Sequence, residues 1–300
     1  MTYYTLLLLI FGTLFGCYLL WLFWQRMQHQ KLERFLENAV LSESQKRHLE
    51  RIPLYRALAA DEHARIERMI LRFVHTREFC GVRLEVNEEM RTVVAFYAAL
   101  MLLYKGERWL DHVKTVWLYE GGFLAEESFD EGGIVSSGTF ELDGQSGPDA
   151  VVLSWEDAKR EAYGLEPFNV IIHEFAHALD FADGVADGMP PIAAAEARTW
   201  AETIDRGYLG LLQRLHRQEE LGAYARFGEY AAENEAEFFA VASELFYRCP
   251  AWMHDCFPEL FGLLGEFYGV DPRRWGLEAP YSDAMSPCDP ASKEITCPPS

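Results

Sequence analysis

Basic residues are scarce in this 300-residue chain: 27 Lys and Arg stand against 47 Asp and Glu, a formal net charge of −20. Neutralising a phosphate backbone needs clustered Lys and Arg, so this composition argues against nucleic acid as a partner. The charge bears on solubility and repulsion, not on fold. Cysteine is sparse as well. The six (Cys17, Cys80, Cys249, Cys256, Cys288, Cys297) show neither paired metal-ligand spacing nor the dense framework of a small secreted domain. Reduced thiols in a reducing compartment are therefore expected. No internal repeat is present. Half of the residues are apolar, enough for one large core or two modest ones.

Charge is absent altogether from Thr5 to Trp24, which reads TLLLLIFGTLFGCYLLWLFW. A helix of about 20 apolar residues spans a bilayer's hydrocarbon core, and Trp21 and Trp24 stand where interfacial aromatics sit. A cleaved signal peptide fits poorly, because no Lys or Arg precedes the run and no A-x-A-like site follows it. The expectation is one transmembrane anchor over residues 1–24. Arg26, Lys31 and Arg34 follow it, and the positive-inside rule then leaves the rest of the chain in the cytoplasm. Residues 25–50 read as a polar helical stalk, 51–280 as the main domain and 281–300 as a Pro- and Ser-rich disordered tail.

In the main domain, Ile66, Met69, Ile70 and Phe73 recur at helical spacing behind Asp61 and Glu62. Residues 90–104 read as a buried, Ala-rich helix. VKTVWLY (113–119) and AVVLSW (150–155) read as strands, flanking a Gly-rich acidic stretch of hairpins and loops. Helices resume from Pro167 to about Tyr268. The predicted class is α+β, mostly helical with a small sheet.

The chemistry concentrates in two helices. Asn169 opens one and Gly184 closes it, around the sequence NVIIHEFAHALDFAD. His173 and His177 are one turn apart, so both imidazoles can reach one ion, while Glu174 beside them can hold a water instead. Burying two His and a Glu on an otherwise apolar helix is costly unless something coordinates them. A catalytic zinc takes three protein ligands and keeps a position open. YAAENEAEFFAVASELFYR (230–248) offers Glu233, Glu235 and Glu237. Phe238 and Phe239 favour turning Glu237 inward; Glu233 shares its face nearer the frayed end, and Glu235 points away.

With GPDAVVLSW, NVIIHEFAHALDFADG and YAAENEAEFFAVASELF in this order, residues 51–275 resemble the MtfA family of bacterial zinc peptidases. That family is itself similar around the site to the catalytic domain of anthrax lethal factor. The resemblance implies a zincin-like domain of the gluzincin type and a Zn2+ cofactor. It implies His173, His177 and Glu237 as metal ligands, Glu174 as general base, and Tyr230 as the residue that steadies the oxyanion. The N-terminal run departs from the family's soluble members, and in a bacterium it would place the chain in the inner membrane as a single-pass protein.

Asp180 and Glu244 share the ligand faces of their helices, where each could orient an imidazole or be a plain helical carboxylate. DGVADG (183–188) reads as a turn rather than a calcium loop. The strand at Val151–Trp155 could pair an extended peptide at a sheet edge or lie in the core. Two functions stay open. One is a peptidase acting on a peptide or protein substrate; the other is an interaction protein that sequesters a cytoplasmic transcriptional regulator, with proteolysis minor or latent.

Overall fold

Leu49 and Ile52, at the end of one short helix and before the next, are fully buried and anchor the start of the main unit. A computed structural model describes residues 3–121 and 149–279, excepting the side chains of residues 5–9 and 107. The chain divides into two compact units that meet between Leu41 and Ser42. The first is helix α1 (Tyr3–Asn38). The second begins with α2 (Glu43–Leu49), which Ser42 caps by accepting the Gln45 N–H. Pro53 then starts α3 (Pro53–Ala57), where the missing N–H costs nothing.

The expected anchor is not upheld. Among the described residues, no helix is long and apolar enough to cross a membrane. Beyond Trp24 helix α1 runs on without a break into Arg26, Lys31, Glu33, Arg34 and Glu37. The inner-membrane location, the membrane partnership and the orientation drawn from that run fall with it. The predicted tail and most of the Gly-rich acidic stretch lie outside the described residues.

Helix α4 (Ala60–Thr76) buries Ile66, Met69, Ile70 and Phe73, the stripe legible in its spacing. It packs on α5 (Glu88–Leu102), whose residues from Val93 onward are almost wholly enclosed. The Tyr97 hydroxyl, in the middle of this core, donates to the Ala162 carbonyl at 2.8 Å. Buried Glu62 accepts from the Tyr104 hydroxyl (2.6 Å), the Ala59 N–H (2.8 Å) and Trp275 Nε1 (3.1 Å). One carboxylate thus ties the start of α4 to the end of α5 and to the C-terminal turn.

Strands β1 (Glu78–Val82), β2 (Thr115–Tyr119) and β3 (Ala150–Ser154) form a parallel sheet in that order. Val116 sits opposite Phe79 on one side and Val151 on the other. The strand at 78–82 was not legible in the sequence, where EFCGV is short and carries a glycine. Parallel pairing requires a crossover, and α5 supplies it between β1 and β2. Then follow α6 (Trp155–Tyr163), α7 (Val170–Asp180), α8 (Ala194–His216), α9 (Glu235–Arg248), α10 (Pro250–Cys256) and α11 (Pro258–Tyr268). Helix α7 packs against α9, α5 and β3 and lies at the centre of the unit. Cys17, Cys80 and Cys249 are free thiols, whereas Cys256 is disulfide-bonded, so the reduced set expected from spacing does not hold throughout.

Candidate metal centre

Asn169 starts α7 by accepting the Ile172 N–H with its side chain at 3.0 Å. Ile171, Ile172, Phe175, Ala176 and Leu179 are fully buried and set the helix's rotation. That rotation turns His173 and His177 toward α9. Its last turn gives way at Gly184, which has φ of +97°, a conformation that suits glycine.

The opposite wall is built by Asn234. Its side chain accepts the Glu237 N–H at 2.9 Å and so caps α9. The 230–248 segment is therefore not one helix. A 3-10 turn (Tyr230–Ala232) precedes α9, leaving Glu233 exposed outside it and Glu235 in its first turn. Phe238 and Phe239 are fully buried, and Glu237 beside them is only 1% exposed. The Asn-x-x-Glu spacing was a readable cap signal, and it fixes where the helix starts.

The Nε2 atoms of His173 and His177 lie 3.1 Å apart. Each faces Glu237 Oε2, at 3.1 and 3.3 Å respectively. Among the described residues this is the group of three His, Cys, Asp or Glu side chains that converges for a metal. Ligands about 2.0–2.1 Å from a tetrahedral zinc stand about 3.3 Å from one another, so the triangle has the size such an ion needs. The chemistry of the donors agrees. His173 Nδ1–H donates to Glu244 Oε1 at 2.8 Å, since an ionised carboxylate can only accept. The lone pair of neutral His173 is then on Nε2, directed at the triangle. Three electron-rich atoms so close repel unless a cation sits among them or protons on the imidazoles bridge them to the carboxylate.

The electrostatics follow from burial and pairing. Burial opposes charge on His173, yet the carboxylates of Glu237 and Glu244 raise its pKa well above the ordinary histidine value. Burial likewise works against Glu237, but its bonds to both imidazoles hold its carboxyl far below the usual range. Glu174 is half-buried, and desolvation raises its pKa while His173 and His177 pull the other way. Tyr230 is 43% exposed, with its ring centroid 5.7 Å from that of His173. Burial of its hydroxyl and the neighbouring charge of Glu237, with which it hydrogen-bonds, raise its pKa.

All five principal candidates, His173, Glu174, His177, Tyr230 and Glu237, are thus brought together. Glu244 touches His173 directly, and its Oε2 also accepts the Asn169 N–H at the head of α7. Asp180 does something else. Its Oδ2 accepts the Gly188 N–H at 2.8 Å, bracing the loop after α7 instead of an imidazole. Sequence reasoning did not find Glu161, whose Oε2 accepts the Val170 N–H at 2.7 Å and which lines a cleft beside His173. Nothing in the local sequence marks a carboxylate that works nine residues away.

The model of the glucose-regulated metallo-peptidase M90 family matches residues 24–269. Mlc titration factor A of Yersinia pestis (strain Pestoides F) is 32% identical over 234 residues, covering 75% of this chain and 85% of the relative. The protein of the same name in Yersinia pseudotuberculosis serotype O:3 (strain YPIII) matches to the same extent. The chain belongs to the glucose-regulated metallo-peptidase M90 family, to which the MtfA resemblance pointed.

Proposed function

We propose, from this membership and from the donor triangle, that the chain hydrolyses peptide bonds with zinc held by His173, His177 and Glu237 in a zincin-like domain spanning residues 51–280. The observation that carries the reading is the convergence of two Nε2 atoms and one Oε2 within hydrogen-bond distance of each other. Bound there, zinc would supply Lewis acidity, making a water more acidic and a carbonyl more electrophilic.

The protein's own groups do the rest. Glu174 lines the same cleft as His173, where its carboxylate can take a proton from water and return it to the leaving amine. The Tyr230 hydroxyl remains protonated across the physiological range and donates a hydrogen bond to the oxyanion as it develops. Glu244 keeps the His173 ring oriented.

Glu174→Gln tests the assignment. It should keep the fold and the metal while reducing peptide cleavage by at least about 100-fold, the scale of general-base catalysis. Unchanged cleavage would remove Glu174 from that role. A second reading comes from the relatives' name, Mlc titration factor A. We infer that this chain can also bind a transcriptional regulator. Equal regulator binding by wild type and Glu174→Gln would show that binding and hydrolysis are separable; loss of binding with the fold intact would tie them to one site.

A further inference from the structure

Beside the metal ligands a cleft of about 380 Å³ opens between α6, α7 and the segment before α9. Its walls include Phe168, Val170, Phe227 and Val241, which are apolar. Apart from His173 and the uncharged Tyr230, its polar side chains are all carboxylates. Glu161, Glu174, Glu229 and Glu244 contribute carboxylates, and among the described residues that line it there is no Lys or Arg.

These carboxylates are not equivalent. Glu244 is committed to His173 and the Asn169 N–H. Glu161 takes the Val170 N–H and the Arg160 guanidinium. Glu174 is reserved for the proton. Glu229, immediately before Tyr230, is exposed at the rim, and its carboxylate has no hydrogen-bond or ion-pair partner among the described residues. An apolar slot whose rim holds a spare negative charge suits a side chain with a hydrocarbon stem and a cationic end.

We propose that this cleft receives a lysine or arginine side chain of the substrate next to the scissile bond, with its stem against Phe168, Val170 and Val241 and its charge met by Glu229. This rests on the peptidase reading above and narrows it to basic peptides. A neutral side chain of the same length satisfies the walls but leaves the rim carboxylate without a partner. An acidic one is repelled. The chain's overall charge of −20 adds a sequence-independent attraction for cations, which any test must separate from the local one.

The experiment uses the zinc-loaded full chain and a fluorescent peptide series with Lys, Arg, norleucine or Glu on either side of the scissile bond. Lys and Arg should exceed norleucine in kcat/KM by about threefold to tenfold at low salt, the advantage shrinking at high salt. Glu229→Gln should erase that advantage, bringing the ratio of Lys to norleucine kcat/KM down to about one. Glu85→Gln, an exposed carboxylate on the β1–α5 connection, should leave it intact. If Glu229→Gln keeps the full advantage, or norleucine equals Lys in the wild type, the proposal is overturned while the peptidase reading stands. Anisotropy binding of the same peptides to zinc-loaded Glu174→Gln keeps the two apart. Basic-selective binding dependent on Glu229 without any wild-type cleavage would overturn the peptidase reading and uphold the cleft's preference; neither binding nor cleavage would overturn both.

Discussion

His173 is held at both ring nitrogens by one helix: Glu237 faces its Nε2 at 3.1 Å, and Glu244, two turns further along α9, accepts from its Nδ1 at 2.8 Å. A ligand carboxylate and an orienting carboxylate therefore move together. Because Glu244 also accepts the Asn169 N–H, the same side chain joins the start of α7 to α9. The ring orientation and the packing of the two ligand-bearing helices are coupled through it.

Glu244→Ala should weaken zinc binding by about 10- to 100-fold, the usual cost of removing a group that orients a ligand. Glu244→Gln should lose less, since its amide oxygen can still accept from Nδ1–H. Competition with a chromophoric chelator measures both; wild-type affinity in the alanine variant would show that Glu244 does not set the ring.

Glu237→Ala and Glu235→Ala should diverge. Glu237 is buried at the triangle, so its loss should lower zinc affinity by more than about 100-fold, beyond the effect expected of an outer group. Glu235 lies two residues earlier, about 200° around the helix from Glu237, and its loss should leave metal content unchanged. Equal metal content in the two purified variants would move the third ligand elsewhere.

Gly188→Ala should destabilise the fold by about 1–3 kcal/mol. Gly188 has φ of +77°, and a Cβ there would lie 2.5 Å from the Glu235 carbonyl oxygen. Its own carbonyl accepts from Trp200 Nε1 at 2.8 Å, so the backbone has little room to move away. Urea denaturation reads the change, and a midpoint like that of the wild type would mean that the loop yields freely.

Asp180 makes stability depend on pH in a stated direction. Burial raises its carboxyl from 3.8 to about 7 in the folded chain. Between those values the folded state holds a proton that the unfolded state has released. Its contribution is therefore complete below about pH 4 and is lost as pH rises through about 7. Asp180→Asn keeps an acceptor for the Gly188 N–H but cannot ionise. The difference in unfolding free energy between wild type and Asp180→Asn should shift by a few kcal/mol over this range, against the wild type at the higher pH. Parallel curves would place the Asp180 carboxyl at an ordinary pKa.

Local spacing carried much of the site. Two histidines one turn apart, Asn169 ahead of them and Gly184 behind are near neighbours in the chain, and the helix's own geometry puts them together. The amphipathic stripe of α4 was readable for the same reason. The N-terminal run misled: its lack of charge pointed to a membrane span, whereas among the described residues no helix is long and apolar enough to cross one.

Other features depend on separations that no local pattern encodes. Glu244 meets His173 across 71 positions, and Glu237 does so across 64. Among Glu233, Glu235 and Glu237 the spacing left a preference, and the Asn234 cap, by setting where α9 begins, turned one of the three inward. The strand at 78–82 gained its identity by pairing with 115–119. Residue types and helical phase, then, specified which atoms could act as ligands. The packing of α7 on α9 supplied the distances at which they act together, because a triangle about 3 Å on a side depends on how two helices meet.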